Sequence, residues 1–386
     1  MARDVVIVGA VRTPIGRGHS EKGYYRDVHP NELLGTCYTE VIARAGVDPT
    51  VVEDVIAGCV QQYGDQSFNI GRNAWLQAGL PMETPAATLD RQCGSAQQAI
   101  NYAAGQIAAG VVDTMIGGGV EHMGRIPMFV GRNWESDVGT PWPAAFRERY
   151  DIVDQGLSAE MIAEQWDISR DDLDEIAVRS HARAAAATDE GRFEREIVPF
   201  EVGGETITVD QGIRRDTSME ALAGLRPVFK EGGKITAGNA SQVSDGAAAV
   251  LVMAAEKAAE LGVTPRARIV DQVAVGVDPV IMLTGPIPAT RKLLARNKMT
   301  IGDIDLFEVN EAFASVLVAW ERELEPDPDR VNVNGGAIAL GHPLGSTGAR
   351  LVTTLLHELE RTDGEYGIVT MCCGGGIGTG TLIQRL

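Results

Sequence analysis

The stretch "TLDRQCGSAQQAINYAAGQIAAG" (residues 88–110) carries the reading of the fold. A strand-like approach ends at a polar turn, Cys93 follows Arg91 and Gln92, and Gly94 and Ser95 open a run of small residues at helical spacing. A helix so rich in alanine and glycine has no wide polar face, so it can be packed on all sides. It therefore predicts a helix able to pack on every face, with a cysteine at its start. That cysteine is open to two readings. A helix N-terminus favours the thiolate of a nucleophile, and small neighbours leave room for a substrate. A free cysteine is also commonly an inert, buried hydrophobe.

Working outward, strand and helix alternate. "DVVIVGAVRTPIG" (4–16) reads as a buried strand and a Gly/Pro turn. "NELLGTCYTEVIARAGV" (31–47) has helical spacing with Asn31 as a possible cap. "VEDVIAGCV" returns to a strand, "NIGRNAWLQAGL" is helical, and "DTMIGGGVEHM" is a strand with a glycine turn. This alternation predicts an α/β protein with a mostly parallel sheet covered by helices.

Residues from about 122 to 245 break the rhythm. "GRNWESDVGTPWPAAFRERY" has no clear period, and "SAEMIAEQWDISRDDLDEIAVRSHARAAAATDEGRFEREIVPF" gives two helices with a capping-box start at "SRDD". A structureless loop of that length would be improbable, so the segment reads as an inserted domain folded over the core. From 266 the first rhythm resumes: "RARIVDQVAVGVDP" parallels "RDVVIVGAVRTP", and strands and helices follow to "YGIVTMCCGGGIGTGTLIQRL". The expected organisation is two duplicated halves, residues 1–265 including the insertion at about 122–245, and residues 266–386.

The chain has 386 residues, 45 glycines and a formal charge of −19 at pH 7. Charge of this sign opposes generic nucleic-acid binding. The acidity fits either a salt-adapted surface or an ordinary acidic cytosolic protein. No apolar run reaches the roughly 20 residues of a membrane span, and "MARDVVIVGAVRTP" lacks the features of a signal peptide. Cys37, Cys59, Cys93, Cys372 and Cys373 have no framework spacing, which predicts reduced thiols and a cytoplasmic location.

Four further stretches could carry chemistry. In "NVNGGAIALGHPLGSTGAR" (332–350), His342 sits among Gly335, Gly336, Gly341, Gly345 and Gly348. That much backbone freedom favours close approach of a ligand over a plain packing turn. The run lacks the GK[ST] ending of a nucleotide-binding loop. In "TMCCGGGIGTG" (370–380), adjacent cysteines without a CxxC or HxxxH partner are a poor zinc site. The glycine triplet can aim N–H groups at a developing oxyanion, or simply close a hairpin. In "EVNEAFA" (308–314), Asn310 can cap a helix or hold a water. "ITAGNASQVSDGAAAVLVM" (235–253) places small polar residues, Ser241 among them, before an apolar strand and suits contact with a polar chain such as pantetheine.

Taken together, "VRTPIG", "RQCGSAQQAI", "GGVEHM", "LRPVFK", "TAGNASQVSDGAAA", "NEAFA", "NVNGGAIALGHPLGSTGAR" and "CCGGGIG" resemble the thiolase family over nearly the whole chain. The resemblance implies a five-layer αβαβα fold from two duplicated halves with an inserted loop domain. It implies ping-pong acyl transfer with acyl-CoA and CoA as substrates and no permanently bound cofactor or metal. The implied activity is acetyl-CoA C-acyltransferase or C-acetyltransferase: thiolysis of 3-ketoacyl-CoA, as in β-oxidation of fatty acids, or condensation of two acetyl-CoA. Cys93 matches the acylated nucleophile, His342 its base, Cys372 the second thiol that moves protons at the substrate α-carbon, and Asn310 the holder of an oxyanion-hole water. Gly374 would supply an N–H beside that of Cys93. Ser241 resembles a residue near the pantetheine and Arg226 of "LRPVF" one near the nucleotide end. The family suggests a homodimer or homotetramer, with no membrane or nucleic-acid partner.

One stretch departs from the short-chain branch. Where that branch carries "HMG", this chain has "DQGLSAEM" with Asp154 and Gln155, which looks more like members accepting longer or varied acyl chains. Cys373 has no role beyond packing. The rivals are a decarboxylating ketoacyl synthase on the same fold, disfavoured by "CCGGG", and a non-catalytic thiolase-like protein that binds acyl-CoA or scaffolds a partner.

Overall fold

The computed structural model describes residues 3–128 and 139–386. Residues 129–138, which include the start of the aperiodic "GRNWESDVGTPW" stretch, lie outside the described residues.

Among the described residues ten strands form one sheet, including the two-residue strand Gly16–Arg17, which pairs with the start of Ser244–Ala254. The other nine run, in spatial order, Leu306–Val309, Tyr366–Cys373, Ile377–Arg385, Ala267–Gly276, Val5–Arg12, Ser244–Ala254, Thr114–His122, Asp54–Gly58 and Ala86–Leu89. The joint lies at the middle, where Val6 and Ile7 oppose Arg268 and Ala267 in antiparallel register. Outward from this joint the order repeats. On each side the next strand is the last of its half in the chain and runs antiparallel to both neighbours. The strands beyond it, two in the second half and three in the first, are parallel to one another. The sheet as a whole is therefore mixed and mostly antiparallel, not mostly parallel as the strand–helix alternation predicts, because the joint and the last strand of each half pair antiparallel.

Besides the extra edge strand Ala86–Leu89 of the first half, the halves differ in one connection. Between Tyr366–Cys373 and Ile377–Arg385 the chain turns on Gly374, Gly375 and Gly376 alone. Gly375 and Gly376 have φ of +81° and +77°, a backbone that side chains rarely adopt. At the matching place in the other half, residues 123–243 intervene before Ser244–Ala254. Helices Gln155–Gln165 and Arg170–Asp189 of this segment pack through Ile162 and Ile176 onto the outer side of the second half.

Helices alternate with the half-sheets to make five layers. Pro30–Ala45 and Ile70–Gln77 cover the outside of the first half, with Leu33, Val41 and Trp75 against Ile116 and Leu251. Ser95–Ala108 and Thr347–Thr362 lie between the half-sheets, where Ile100 and Leu355 meet Val250 and Val369. Pro286–Asn297 and Ala314–Leu324 close the other side, with Leu293 and Trp320 against Val273 and Ile368. The central helix is buried nearly all round, as its composition predicts, with Tyr102 the exception at 46% exposure.

Close approach at the centre depends on missing side chains. A Cβ on Gly58 would lie 2.5 Å from the Ala96 nitrogen and 2.6 Å from the Gly345 oxygen, and one on Gly348 would lie 2.4 Å from the Gln97 nitrogen. The two central helices thus touch each other and the sheet backbone to backbone.

Local signals are mostly kept. Ser169 caps Arg170–Asp189 in a capping box with Asp172. Asn31, expected as a cap, is instead the second residue of its helix. Pro30 occupies the first turn, where its missing N–H costs nothing. His29 is the cap, its Nδ1 accepting from the Asn31 N–H at 3.2 Å.

Candidate active site

The turn before the central helix is built to hold Cys93. Asp90 accepts from the Gln92 N–H at 2.7 Å, and Gln92 adopts φ +50°. Ser95 Oγ accepts from the Arg91 N–H at 2.9 Å and donates to the Gln92 carbonyl at 2.6 Å. Cys93 follows, just ahead of the cap residue Gly94. A Cβ on Gly94 would lie 2.7 Å from Cys373 Sγ and 2.9 Å from Thr379 Oγ1, so the turn rests directly on the C-terminal hairpin.

Cys93 and His342 line one cavity of about 410 Å³, together with Gln155, Phe229, Ser241 and Phe313. Burial pushes the Cys93 thiol up to about 12, against the Gly374 N–H and the Cys93 N–H, which both favour the thiolate. The thiolate expected from the helix start alone does not form: the desolvation cost exceeds the effect of the helix terminus. The resting residue is a thiol with two N–H groups aimed at its sulfur.

His342 is held by both halves. Its N–H is shared between the Gln242 carbonyl (3.2 Å) and Ser244 Oγ (3.1 Å). Its Nδ1 lies 2.7 Å from Thr347 Oγ1, and Thr347 spends its single hydroxyl proton on the Pro343 carbonyl at 2.8 Å. The hydroxyl can only accept from Nδ1, so Nδ1 carries the proton and Nε2 is the free base. Burial, with the Arg350 charge behind it, lowers the His342 pKa to about 3. The imidazole is therefore neutral at physiological pH.

Asn310 follows the strand Leu306–Val309, and its Nδ2 lies 3.4 Å from His342 Nε2. Asn310 is fully buried, and its Oδ1 has no protein partner. Cys372 and Cys373 end the strand Tyr366–Cys373 and point to opposite faces of it. Cys372 belongs to the same core cluster as Ala312 and Phe313 of the cavity wall, while Cys373 belongs to the central cluster with Cys93. Both thiols are fully buried, and burial first, then the proximity of Cys93, raises their pKa. Cys372 thus sits behind the wall that Cys93 and His342 line. Cys373 packs beneath Gly94.

Gly374 presents its N–H to Cys93 and also lines a larger cleft of about 1350 Å³. Gln155 lines both spaces. Ser241 is on the cavity wall, its N–H tied to the Ala312 carbonyl at 2.9 Å. Arg226 is exposed and off the wall, two residues before Val228 and three before Phe229, which are on it.

Two functional positions are not among those read from the sequence. Thr347, which sets the His342 tautomer, lies five residues on, across a loop whose path no periodicity reveals. Glu121 accepts from the N–H groups of Val60 (2.9 Å), Gln61 (3.0 Å) and Gly345 (2.9 Å) and from Gln66 Nε2 (2.8 Å). It pins the His342 loop to the first half, and burial raises its pKa. Only the lone acid in the apolar "IGGGVEHM" signals it. Among the described residues, no group of three or more His, Cys, Asp or Glu side chains could hold a metal ion.

The chain matches the family models for the thiolase N-terminal domain over residues 5–256 and the thiolase C-terminal domain over residues 263–385. It is 46% identical to the steroid 3-ketoacyl-CoA thiolase FadA6 of Mycobacterium tuberculosis, over 99% of this chain and 94% of that protein. It is also 46% identical to the 3-ketoacyl-CoA thiolase of Aeromonas hydrophila, over the full length of both. Among solved structures it resembles the Bacillus anthracis acetyl-CoA acetyltransferase, with TM-score 0.91, 41% identity and coverage of 100% of this chain and 99% of that one. The human mitochondrial 3-ketoacyl-CoA thiolase gives TM-score 0.90 and 38% identity, with 99% of each chain covered.

Proposed function

The chain belongs to the thiolase family, and from that premise we propose how its own residues carry out acyl transfer. It is an acyltransferase that cleaves 3-ketoacyl-CoA with CoA or condenses two acetyl-CoA. The observation that carries the residue assignment is the shared cavity of Cys93 and His342, with the imidazole proton fixed on Nδ1.

In thiolysis, His342 Nε2 takes the proton of Cys93 Sγ as the sulfur attacks the 3-keto carbon. Because the thiol and the imidazole are both neutral at rest, proton transfer accompanies attack rather than preceding it. The N–H groups of Cys93 and Gly374 receive the oxyanion, and loss of one such donor costs about a hundred- to a thousandfold in rate. The C2–C3 bond breaks, Cys372 gives its proton to C2, and acetyl-CoA leaves. The acyl group remains as a thioester on Cys93. CoA then loses its thiol proton to the Cys372 thiolate and attacks the thioester. Cys93 leaves and recovers its proton from the His342 imidazolium, so every group returns to its starting state.

Asn310 would hold a water beside His342 Nε2, and its unpaired Oδ1 supports this role. Ser241 would meet the pantetheine and Arg226 the nucleotide end. CoA is a substrate, with no resident cofactor. The chain divides near residue 265, as the repeated strand order supports. A homodimer or homotetramer is consistent with the edge strand Ala86–Leu89 and the neighbouring Phe68 and Met82, 91% and 72% exposed. Five free cysteines support a cytoplasmic location. The intact thiol–imidazole–thiol set favours catalysis over a scaffold role.

Initial-rate kinetics of thiolysis test the proposal. Varying CoA at several fixed 3-ketoacyl-CoA concentrations should give parallel double-reciprocal lines, and Cys372→Ala should abolish turnover yet leave Cys93 open to acylation by acetyl-CoA. Intersecting lines, or a Cys372→Ala protein at near-native rate, would remove the two-thiol mechanism.

A further inference from the structure

The buried pair Arg350 and Glu308 has no part in the reaction as described so far, yet it stands beside the base. Arg350 is 1% exposed and Glu308 2%, and Arg350 Nη1 donates to Glu308 Oε2 at 3.4 Å. Taking both groups out of water is costly.

Two periodicities place the pair. Thr347 and Arg350 are three residues apart at the start of the helix Thr347–Thr362, and residues at that spacing share a helix face. Thr347 Oγ1 accepts the His342 Nδ1 proton at 2.7 Å. Glu308 and Asn310 are two residues apart along the strand Leu306–Val309 and its continuation, where the Asn310 N–H donates to the Thr370 carbonyl at 3.1 Å. Residues at that spacing share a side of a strand. Asn310 Nδ2 lies 3.4 Å from His342 Nε2. Thr347, His342 and Asn310 thus bridge the helix and the strand, and Arg350 with Glu308 bridges the same two elements again.

The charge of this second bridge is poorly matched. Arg350 Nε and Nη2 find no acceptor among the described residues. The carboxylates of Glu196 and Asp210 also act on Arg350, but both are engaged by Arg12, at 2.6 Å and at 2.7 and 2.9 Å. Burial pushes the Glu308 carboxyl up to about 8 against the pull of Arg350, which makes it a weak counter-ion. The Arg350 cation is therefore felt at His342, where it adds to burial in opposing the imidazolium.

We propose that Arg350 is a positioning residue for acyl transfer: through Glu308 it clamps the helix that orients His342 to the strand that carries Asn310, and its charge drives the imidazolium to return its proton to Cys93. This rests on the acyl-transfer reading of Cys93. When acetyl-CoA acylates the enzyme, the Cys93 thiol proton passes to His342 Nε2 and a bond forms from Cys93 Sγ to the acetyl carbon. The bond from that carbon to the CoA sulfur breaks, and the departing sulfur takes the proton of Cys372. The acyl-enzyme then holds an imidazolium and a Cys372 thiolate, and the free enzyme holds neither. A cation behind His342 raises the energy of the acyl-enzyme relative to the free enzyme, so it favours passage of the acyl group to CoA.

The equilibrium of that step is the test. Wild type and variants are incubated with acetyl-CoA and CoA at set ratios, and the acetylated fraction of Cys93 is read by mass spectrometry of the acid-quenched protein. Arg350→Met combined with Glu308→Leu replaces the pair by apolar side chains, an exchange that is often neutral to stability. Its acetylation constant should rise at least about threefold over wild type, because the opposing charge is gone. Its kcat for thiolysis should fall at least about threefold, because the clamp is lost and the imidazolium is a weaker acid. A loosened site would lose acylation and turnover together. Arg350→Lys keeps the charge and should hold the constant within about twofold of wild type. Glu308→Gln keeps the cation and an acceptor for it, and should leave the constant at or below the wild-type value. A double variant whose constant rises less or falls, or whose kcat is native, overturns the inference. So does an Arg350→Lys constant equal to that of the double variant, or a rise in Glu308→Gln. No acetyl adduct on Cys93 in the wild type overturns the acyl-transfer reading itself.

Discussion

Replacing Thr347 by valine is the sharpest perturbation of the base, because it keeps the shape and removes one hydroxyl. That hydroxyl accepts the His342 Nδ1 proton at 2.7 Å and passes its own to the Pro343 carbonyl at 2.8 Å. Without it, the N–H is a buried donor with no acceptor, which costs about 1–3 kcal/mol. The imidazole can escape by moving the proton to Nε2. There it faces Asn310 Nδ2, another donor, at 3.4 Å, and the nitrogen that should take the Cys93 proton already carries one. At about 2 kcal/mol the competent tautomer falls about thirtyfold, with about fivefold and 150-fold as the bounds. kcat for thiolysis should drop by this factor while KM for CoA stays within about threefold, since no substrate contact is lost. Thr347→Ser should recover most of the rate, and ¹⁵N chemical shifts should show the proton leaving Nδ1 in the valine variant alone. A Thr347→Val enzyme within twofold of wild type, with His342 still essential, would refute the tautomer assignment.

Three further outcomes follow from the geometry. With the Cys93 thiol pushed up to about 12, its iodoacetamide labelling in the free enzyme should rise roughly tenfold per pH unit between about pH 7 and 9; a plateau near pH 8 would contradict a buried thiol. Gly345→Ala places a Cβ 2.5 Å from the Val120 oxygen and 2.7 Å from Cys59 Cα, backbone that cannot yield, so chemical denaturation should show a loss of about 3 kcal/mol or more, whereas an unchanged midpoint would mean the loop has slack. Burial, helped by Arg214, lowers the pKa of His181 to about 4 from an ordinary 6.5. Between those values the unfolded chain binds a proton that the folded one does not, so this residue makes stability fall as pH drops below 6.5, by up to about 1.4 kcal/mol per unit. His181→Gln should flatten the acid limb of the stability curve by that slope, and an unchanged slope would place a charged imidazole in the fold.

Much of this was legible in the sequence because local chemistry and tertiary context agree. The small-residue helix after Cys93 announces a layer packed on two sides, and the matched strands at 4–16 and 266–279 announce the repeat that the sheet order displays. The glycines around His342 mark a loop where backbone meets backbone. What was not legible depends on desolvation and on long-range contact. A helix start suggests a thiolate at Cys93, yet only the surrounding layers reveal the burial that keeps it a thiol. Asn31 looks like a cap until the proline before it shifts the boundary to His29. Thr347 acquires its role from a loop that folds it back on His342, and Glu121 from donors 55 to 224 residues away. Cys372 and Cys373 are adjacent letters separated by the pleat: one joins the core cluster that backs the cavity and the other the central layer.

The acyl-enzyme itself is the most direct object to measure. Mass spectrometry of the protein quenched after brief exposure to acetyl-CoA, without an acceptor, should find one acetyl group, on the peptide containing Cys93, and none on that of Cys372 and Cys373. It should be absent from Cys93→Ala and formed far more slowly in His342→Ala. An unmodified Cys93, or an acetyl group on Cys372 in its place, would contradict the assignment of the nucleophile.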